Sequence, residues 1–411
     1  MTQAGLRPGT VTLVAFGASL ALYLGIGQAF APGRMFERAD LALGTDVPRV
    51  IADLTRFVAN HYRTKVHPIF VFLLNPLGLA LKALLGAPRP AALLLNAAAG
   101  ALGVALFHLL LRRLGVAGIR AILWTSLFAL SSSQLFFGSI PETYAFSGAS
   151  LLLLFVLFAR GAATGWSFVA AGVVCFGITL TNLATALWLH ARAADWSGGL
   201  WPIVPRVVRY AVAVLSLTAA LAMLQADWYP RAKLFFGPTA LREETRYAFL
   251  PGSHSALGRR LADLGANALV FNLAAPGLAV TKAGQRHPTT VFAPAALRPP
   301  GIAHAALWGA ALATAAGWAA RERLHRKPAV QALLGSLGFH LVLHFFYGEI
   351  LFLYSCHFTF AVIALAALAA ESRLATRGAS AGWTVVALGG LVALQAANNA
   401  AFLYELHSIY R

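Results

Sequence analysis

The sequence predicts an all-α, polytopic membrane protein, and three observations carry that expectation. Of its 411 residues 59% are hydrophobic and only 11% charged, with a mean hydropathy of +0.71. No water-soluble domain of this size needs so much apolar surface for its core. The apolar stretches recur at about 17–25 residues, the length a helix needs to cross ~30 Å of hydrocarbon, whereas a transmembrane barrel would alternate over ~10-residue strands. The formal charge of +18 sits on Lys and Arg in short loops between those stretches. That is where the positive-inside bias places them, so the charge reports topology and no nucleic-acid partner is expected.

The first apolar run, about 11–31, follows Arg7. It is longer than a signal-peptide core and has no convincing cleavage site, which makes it a retained helix that starts in the cytoplasm. Residues 32–90 form a first external loop. Within it Gly44-Thr45-Asp46 before Pro48 is a helix-start signal. From Val47 to Arg63, at about 100° per residue, Val47, Val50, Ile51, Leu54, Phe57 and Val58 share one arc. Asp46, Arg49, Asp53, Arg56, Asn60 and Arg63 share the opposite one. Such a helix is too polar to span and suits the membrane surface.

The next stretch, "HPIFVFLLNPLGLALKALLG" (67–86), is long enough to span, but Pro68, Asn75-Pro76 and Gly78 interrupt it. If it crossed, the span at 91–111 would leave Arg112, Arg113 and Arg120 of "LRRLGVAGIR" outside. If it does not, that loop, "RERLHRK" (321–327) and "ESRLATR" (371–377) all fall inside, provided that 166–193 is a hairpin of two short helices. The segment therefore reads as a broken helix in or dipping into the outer interface.

Eleven spans follow, about 11–31, 91–111, 119–137, 144–160, 166–181, 183–193, 206–226, 302–320, 329–346, 357–371 and 382–403. The chain divides into a membrane module over 1–226, an external cap region over 227–300 and C-terminal spans over 301–411. The cap region is rich in Pro, Gly, Arg and aromatics. Cys175 and Cys356 match neither a disulfide framework nor a metal spacing.

This topology gathers on the external side the polar residues unusual for membrane depth. They are Asp46, Asp53, His61, Arg63 and His67 in the first loop, Glu142 and Tyr144 in "GSIPETY", and Arg231 and Lys233 after the seventh span. Glu349, Tyr354 and His357 in "FFYGEILFLYSCH" complete the set. Acidic groups beside apolar segments are costly and therefore functional candidates.

The order of these features resembles the GT-C class of membrane glycosyltransferases, closest to the branch that transfers mannose or aminoarabinose. The features are an acidic residue soon after the first helix (Asp46), His67-Pro68, the "RRLG" turn at 112–115 and Glu142 before the fourth span. The likeness covers roughly residues 10–190. It implies an in-plane first loop, a polyprenyl-phosphate sugar donor and a general base at Asp46, whose distance to His67 matches the family's interval. That branch usually carries Asp-Glu where this chain has Asp46-Val47, and Asp53 is the second candidate.

Inverting transfer needs a base for the acceptor hydroxyl, here Asp46, Asp53 or Glu142. It also needs cations at the phosphate that leaves, and arginine's fork fits phosphate. Arg63, Lys65, Arg231 and Lys233 are candidates, with Arg89 behind them. No Asp-x-Asp occurs in the external loops, so neither a metal nor another cofactor is expected. The partners are the lipid-linked donor, a glycan, lipid or protein acceptor, and the bilayer. The high Ala, Gly, Arg and Leu content suggests a GC-rich bacterium, hence an inner-membrane enzyme acting on the periplasmic side.

Each candidate has a structural alternative. Asp46 can cap the in-plane helix, Asp53 can pair with Arg49 or Arg56 on a solvated face, and Glu142 can complement a helix dipole. His61 and His67 can serve as hydrogen-bonding groups, "EILFLY" as interfacial packing and Asn182 as an interhelical bond. Arg231 and Lys233 can bind headgroups. The rival function is a transporter or flippase of a lipid-linked or small anionic substrate.

Overall fold

The computed structural model describes residues 8–116, 118–197, 199–249, 254–281, 288–377 and 381–411. Arg7 and the parts of the cap region at 250–253 and 282–287 lie outside the described residues. In chain order the helices are α1 (Pro8–Phe30), α2 (Val47–Thr55), α3 (Phe70–Leu85), α4 (Pro88–Arg113), α5 (Gly118–Ala129), α6 (Ser132–Ser139), α7 (Thr143–Ala159) and α8 (Trp166–Ile178). They continue with α9 (Asn182–Arg192), α10 (Ile203–Trp228), α11 (Pro238–Glu244), α12 (His254–Ala266), α13 (Pro299–Arg321), α14 (Pro328–Phe346), α15 (Thr359–Arg377) and α16 (Ala381–Tyr410). One antiparallel hairpin, β1 (Gly277–Thr281) with β2 (Thr289–Ala293), is added in the cap region. The protein is an all-α membrane protein apart from that hairpin.

Among the described residues six helices, α1, α4, α10, α13, α14 and α16, are long and apolar enough to cross a membrane. Two bent pairs raise this to eight. They are α5 with α6, at 60°, and the 3₁₀ segment Leu351–His357 with α15, at 53°. By length and composition the described helices thus supply six to eight of the eleven expected spans. At about 1.5 Å per residue, α8 and α9 with 13 and 11 residues fall short of the hydrocarbon thickness, and α7 with 17 stands at the lower limit of a span. The expected hairpin of short helices is present as α8 and α9.

Helix α4 is the axis of the molecule. It is buried along most of its length because Ala and Gly line it, and α1, α6 and α7 approach closely. At Gly138 of α6 a Cβ would stand 2.7 Å from the ring of Tyr23 on α1, so only glycine leaves room for that buried tyrosine. Asn96 on α4 donates to the carbonyls of Phe137 at 2.7 Å and Gly138 at 3.1 Å, where α6 ends, and accepts the Glu142 N–H at 3.1 Å. Its carboxamide thus fixes the turn that delivers Glu142. Arg112 and Arg113 close the same helix about 24 Å further on, at 1.5 Å per residue. Beyond that end, Arg120 meets Glu371 in a two-pronged ion pair at 2.5 and 2.8 Å.

Two expectations for the first loop change. The surface helix ends at Thr55, not Arg63, because tertiary partners claim its last carbonyls. Asn75 donates to Asp53 O at 2.8 Å and Arg56 O at 3.1 Å, while His61 folds back to Phe57 O at 3.1 Å. The segment after it is one uninterrupted helix, α3, with Pro76 inside it. The residues that read as breaks are its docking points. Asn75 reaches α2, and a Cβ at Gly78 would lie 1.9 Å from Leu54 O, so α3 rests directly on α2. Gln225 of α10 tends the start of α3, accepting Phe72 N–H at 2.8 Å and donating to Pro68 O at 2.7 Å.

Candidate functional site

The chain reaches Asp46 through a tight turn with positive φ at Leu43 (51°) and Gly44 (73°). Leu43 is fully buried and tied to the hairpin by its N–H on Thr290 O at 3.0 Å. A bulky residue in that region is strained and needs such fixing. Asp46 stands at the N-cap position of α2, but its side chain turns to Arg49 instead of capping.

Arg49 is shared among carboxylates. Its Nε donates to Asp46 Oδ2 and its Nη1 to Asp53 Oδ2 at 2.8 Å. Burial alone would weaken the guanidinium's hold on its proton, but Asp46, Asp53 and Glu142 outweigh it and hold the pKa up. Glu142 accepts the Asp46 and Thr143 N–H groups and is 2% exposed. Burial raises its carboxyl to about 7; Arg49 pulls it down and the Asp46 charge pushes it up. A carboxylate poised near neutrality is suited to proton transfer.

Two adjoining cavities open here. The first, of about 280 Å³, is lined by Asp40, Asp46, Arg49, Glu142 and Glu349. The second, of about 210 Å³, is lined by Leu180, Phe235, Leu343 and the side chains of Lys65, His344 and His357. Arg63, His67, Tyr144, Tyr347 and Tyr354 belong to both walls. The turn between α8 and α9 meets the first loop at this wall. His67 Nδ1–H donates to Ile178 O at 2.7 Å, and Leu180 N–H reaches Val66 O at 3.3 Å. Burial, with Arg49 and Arg63 nearby, keeps the His67 imidazole neutral. A larger cavity of about 550 Å³ between α5, α13, α15 and α16 is lined by Ala, Leu and Trp with Arg373 and carries no carboxylate.

The structure brings Asp46, Glu142, Arg63, His67, Tyr144, Glu349 and Tyr354 to one cavity and adds Lys65 and His357 in the next. Other candidates stand apart. Both oxygens of Asp53 are taken, by Arg49 and by His61 Nδ1 at 2.8 Å, and it lines neither cavity. The pair with Arg49 exists, but on a buried face: Asp53 is 3% exposed. His61 is fully buried behind it. Arg89 bonds Ala31 O at 3.1 Å and lies 3.8 Å from Glu37, away from both cavities. Arg231 is exposed at φ 63°, and Lys233 lies 3.7 Å from Glu243.

Three features escaped the sequence reading. Glu243 and Glu244 on α11 bind the expected phosphate cations. Lys65 meets both, and Arg63 meets Glu244 at 3.2 Å. Burial would raise Glu244, but Arg63, the Tyr347 hydroxyl and Lys65 outweigh it and hold it low. Asp40 joins the carboxylates, its pKa raised by burial and by Asp46 and Glu349. His340 and His344 come together with His357; the spacing of four between the first two was the available signal, and it contrasts with the expectation of no metal. Comparison with protein-family profiles, with curated proteins and with solved structures finds nothing that matches this chain.

Proposed function

We propose that the chain is an inverting glycosyltransferase of a bacterial inner membrane. It moves a sugar from a polyprenyl-phosphate donor to an acceptor hydroxyl on the external side. One observation carries the reading, the carboxylate-lined cavity joined along a shared wall to a mainly apolar cavity whose lining includes Arg63, Lys65 and Glu244. The apolar cavity takes the first isoprene units and the polar one the sugar and the acceptor. Asp46 uses Oδ1 to receive the acceptor's proton while Arg49 holds Oδ2, and Glu142 keeps the Asp46 backbone in place. Arg63 and Lys65 stabilise the phosphate as it leaves, which requires the donor to displace Glu243 and Glu244 from them. The external placement follows from the positive-inside bias, since Arg112, Arg113 and Arg120 lie at the opposite end of α4 from Glu142.

The test is sugar transfer in detergent from undecaprenyl-phosphate-linked mannose or aminoarabinose. Asp46→Asn and Glu142→Gln are expected to lose transfer, and full activity in both excludes the mechanism. Movement of the donor across sealed vesicles with no new glycosidic bond would replace this reading by a flippase.

A further inference from the structure

His340 and His344 stand one turn apart on α14 and so share a face. His357 closes the 3₁₀ segment Leu351–His357 against that face. One ring nitrogen from each histidine lies within 4.8 Å of one from each of the others. All three rings are buried, at 0%, 2% and 2% exposure. Among the described residues His340 Nδ1 and His357 Nδ1 have no hydrogen-bond partner, while the His344 ring has only the Tyr347 backbone beside it. Buried polar groups are usually paired, and here the unpaired nitrogens belong to rings that face one another, so they are open to a shared ligand.

The remaining nitrogens of two rings are supported from outside. His357 Nε2 rests on Ser147 Oγ at 2.8 Å, and His340 Nε2 lies 3.4 Å from Thr185 Oγ1. Ser147 Oγ also accepts from Asn182 Nδ2 at 2.8 Å. A hydroxyl oxygen has two lone pairs, so it can accept the His357 Nε2–H as well, which leaves a lone pair on Nδ1. Outer contacts of this kind set the tautomer of a metal-binding histidine.

We propose that His340, His344 and His357 bind a transition-metal dication of borderline softness, Zn²⁺ by preference, with its fourth position open to the apolar cavity. Neutral imidazoles suit Zn²⁺, whereas Mg²⁺ and Ca²⁺ take oxygen ligands. Three protein ligands leave one position of a tetrahedral ion free, and His344 and His357 both line that cavity. Ligand nitrogens around tetrahedral Zn²⁺ stand about 3.3 Å apart. Binding therefore draws inward three rings that now lie within 26° of parallel. Metal binding does not rest on the transfer reading, because its readout is content and spectrum.

The experiment uses full-length protein in detergent, purified by a tag without histidine, stripped with EDTA, loaded with Co²⁺ and gel-filtered. About one Co²⁺ per chain is expected, with the intense visible absorption of a four-coordinate ion that Zn²⁺ displaces. His344→Ala and His357→Ala lose that absorption, and the exposed-loop variant His325→Ala keeps it. Variants are judged only when they elute like the wild type, and the wild type alone is decisive. No retained Co²⁺, a weak six-coordinate spectrum, or an unchanged spectrum in both cavity variants overturns the proposal.

Discussion

The two ends of α4 handle charge in opposite ways. At the basic end Arg120 and Glu371 pair one to one on a part-exposed surface. At the other end Arg49 is divided among Asp46, Asp53 and Glu142, and the cavity beside it holds Asp40, Asp46, Glu142 and Glu349 against Arg49 and Arg63. Matched pairs neutralise a surface; carboxylates gathered around one shared arginine, with Asp53 and Glu142 buried among them, cost stability and are retained where chemistry uses them. The difference teaches that the abundance of basic residues in this chain says little about its site. The acidic minority marks it.

The largest effect that would break this comparison is on transfer. Asp46→Asn is expected to lower the rate about 10²–10⁴-fold, the range of a lost general base, measured as sugar transferred per unit time. Arg49→Ala is expected to cost about 3–5 kcal/mol, because it strands buried carboxylates, and a thermal melt in detergent reads it. Gly78→Ala pushes α3 off Leu54 O and is expected to cost about 1–3 kcal/mol in the same melt.

Glu142 sharpens the comparison through pH. With its carboxyl raised to about 7, transfer that needs it ionised climbs as pH rises through 7, and the residual transfer of Glu142→Gln shows no such limb. The same shift works against the fold. The unfolded chain releases this proton near the ordinary carboxylate value, so stability from this group is full below it and falls as pH rises towards 7. Glu142→Gln should therefore gain in melting temperature over the wild type at pH 8 and lose that gain at pH 5. The smallest effect belongs to the basic end, where Arg120→Ala should cost about 1 kcal/mol or less.

Much of the architecture was legible because it depends on local pattern. The start of α2, the short pair α8–α9 and the long apolar helices follow from a proline in the first turn and from segment length. The gathering of Asp46, Glu142 and Glu349 could be read from which loops share a side. What remained hidden was set by contacts distant in sequence. Nothing near Lys65 announces Glu243, and nothing near Asp53 says that His61 will fold onto it and end the surface helix early. Asn75 and Gly78 were visible as helix breakers, yet their role is docking, which only the position of Leu54 O reveals.

The placement of the carboxylate end outside the cell and the basic end inside is tested most directly by thiol labelling of intact cells. Ala39→Cys, on the polar cavity's wall, and the exposed His325→Cys are the reporters, and the native Cys175 and Cys356 are buried. A membrane-impermeant maleimide should label the first from outside and the second only after lysis. Labelling of both from the same side, or of Ala39→Cys only from the interior, would contradict it.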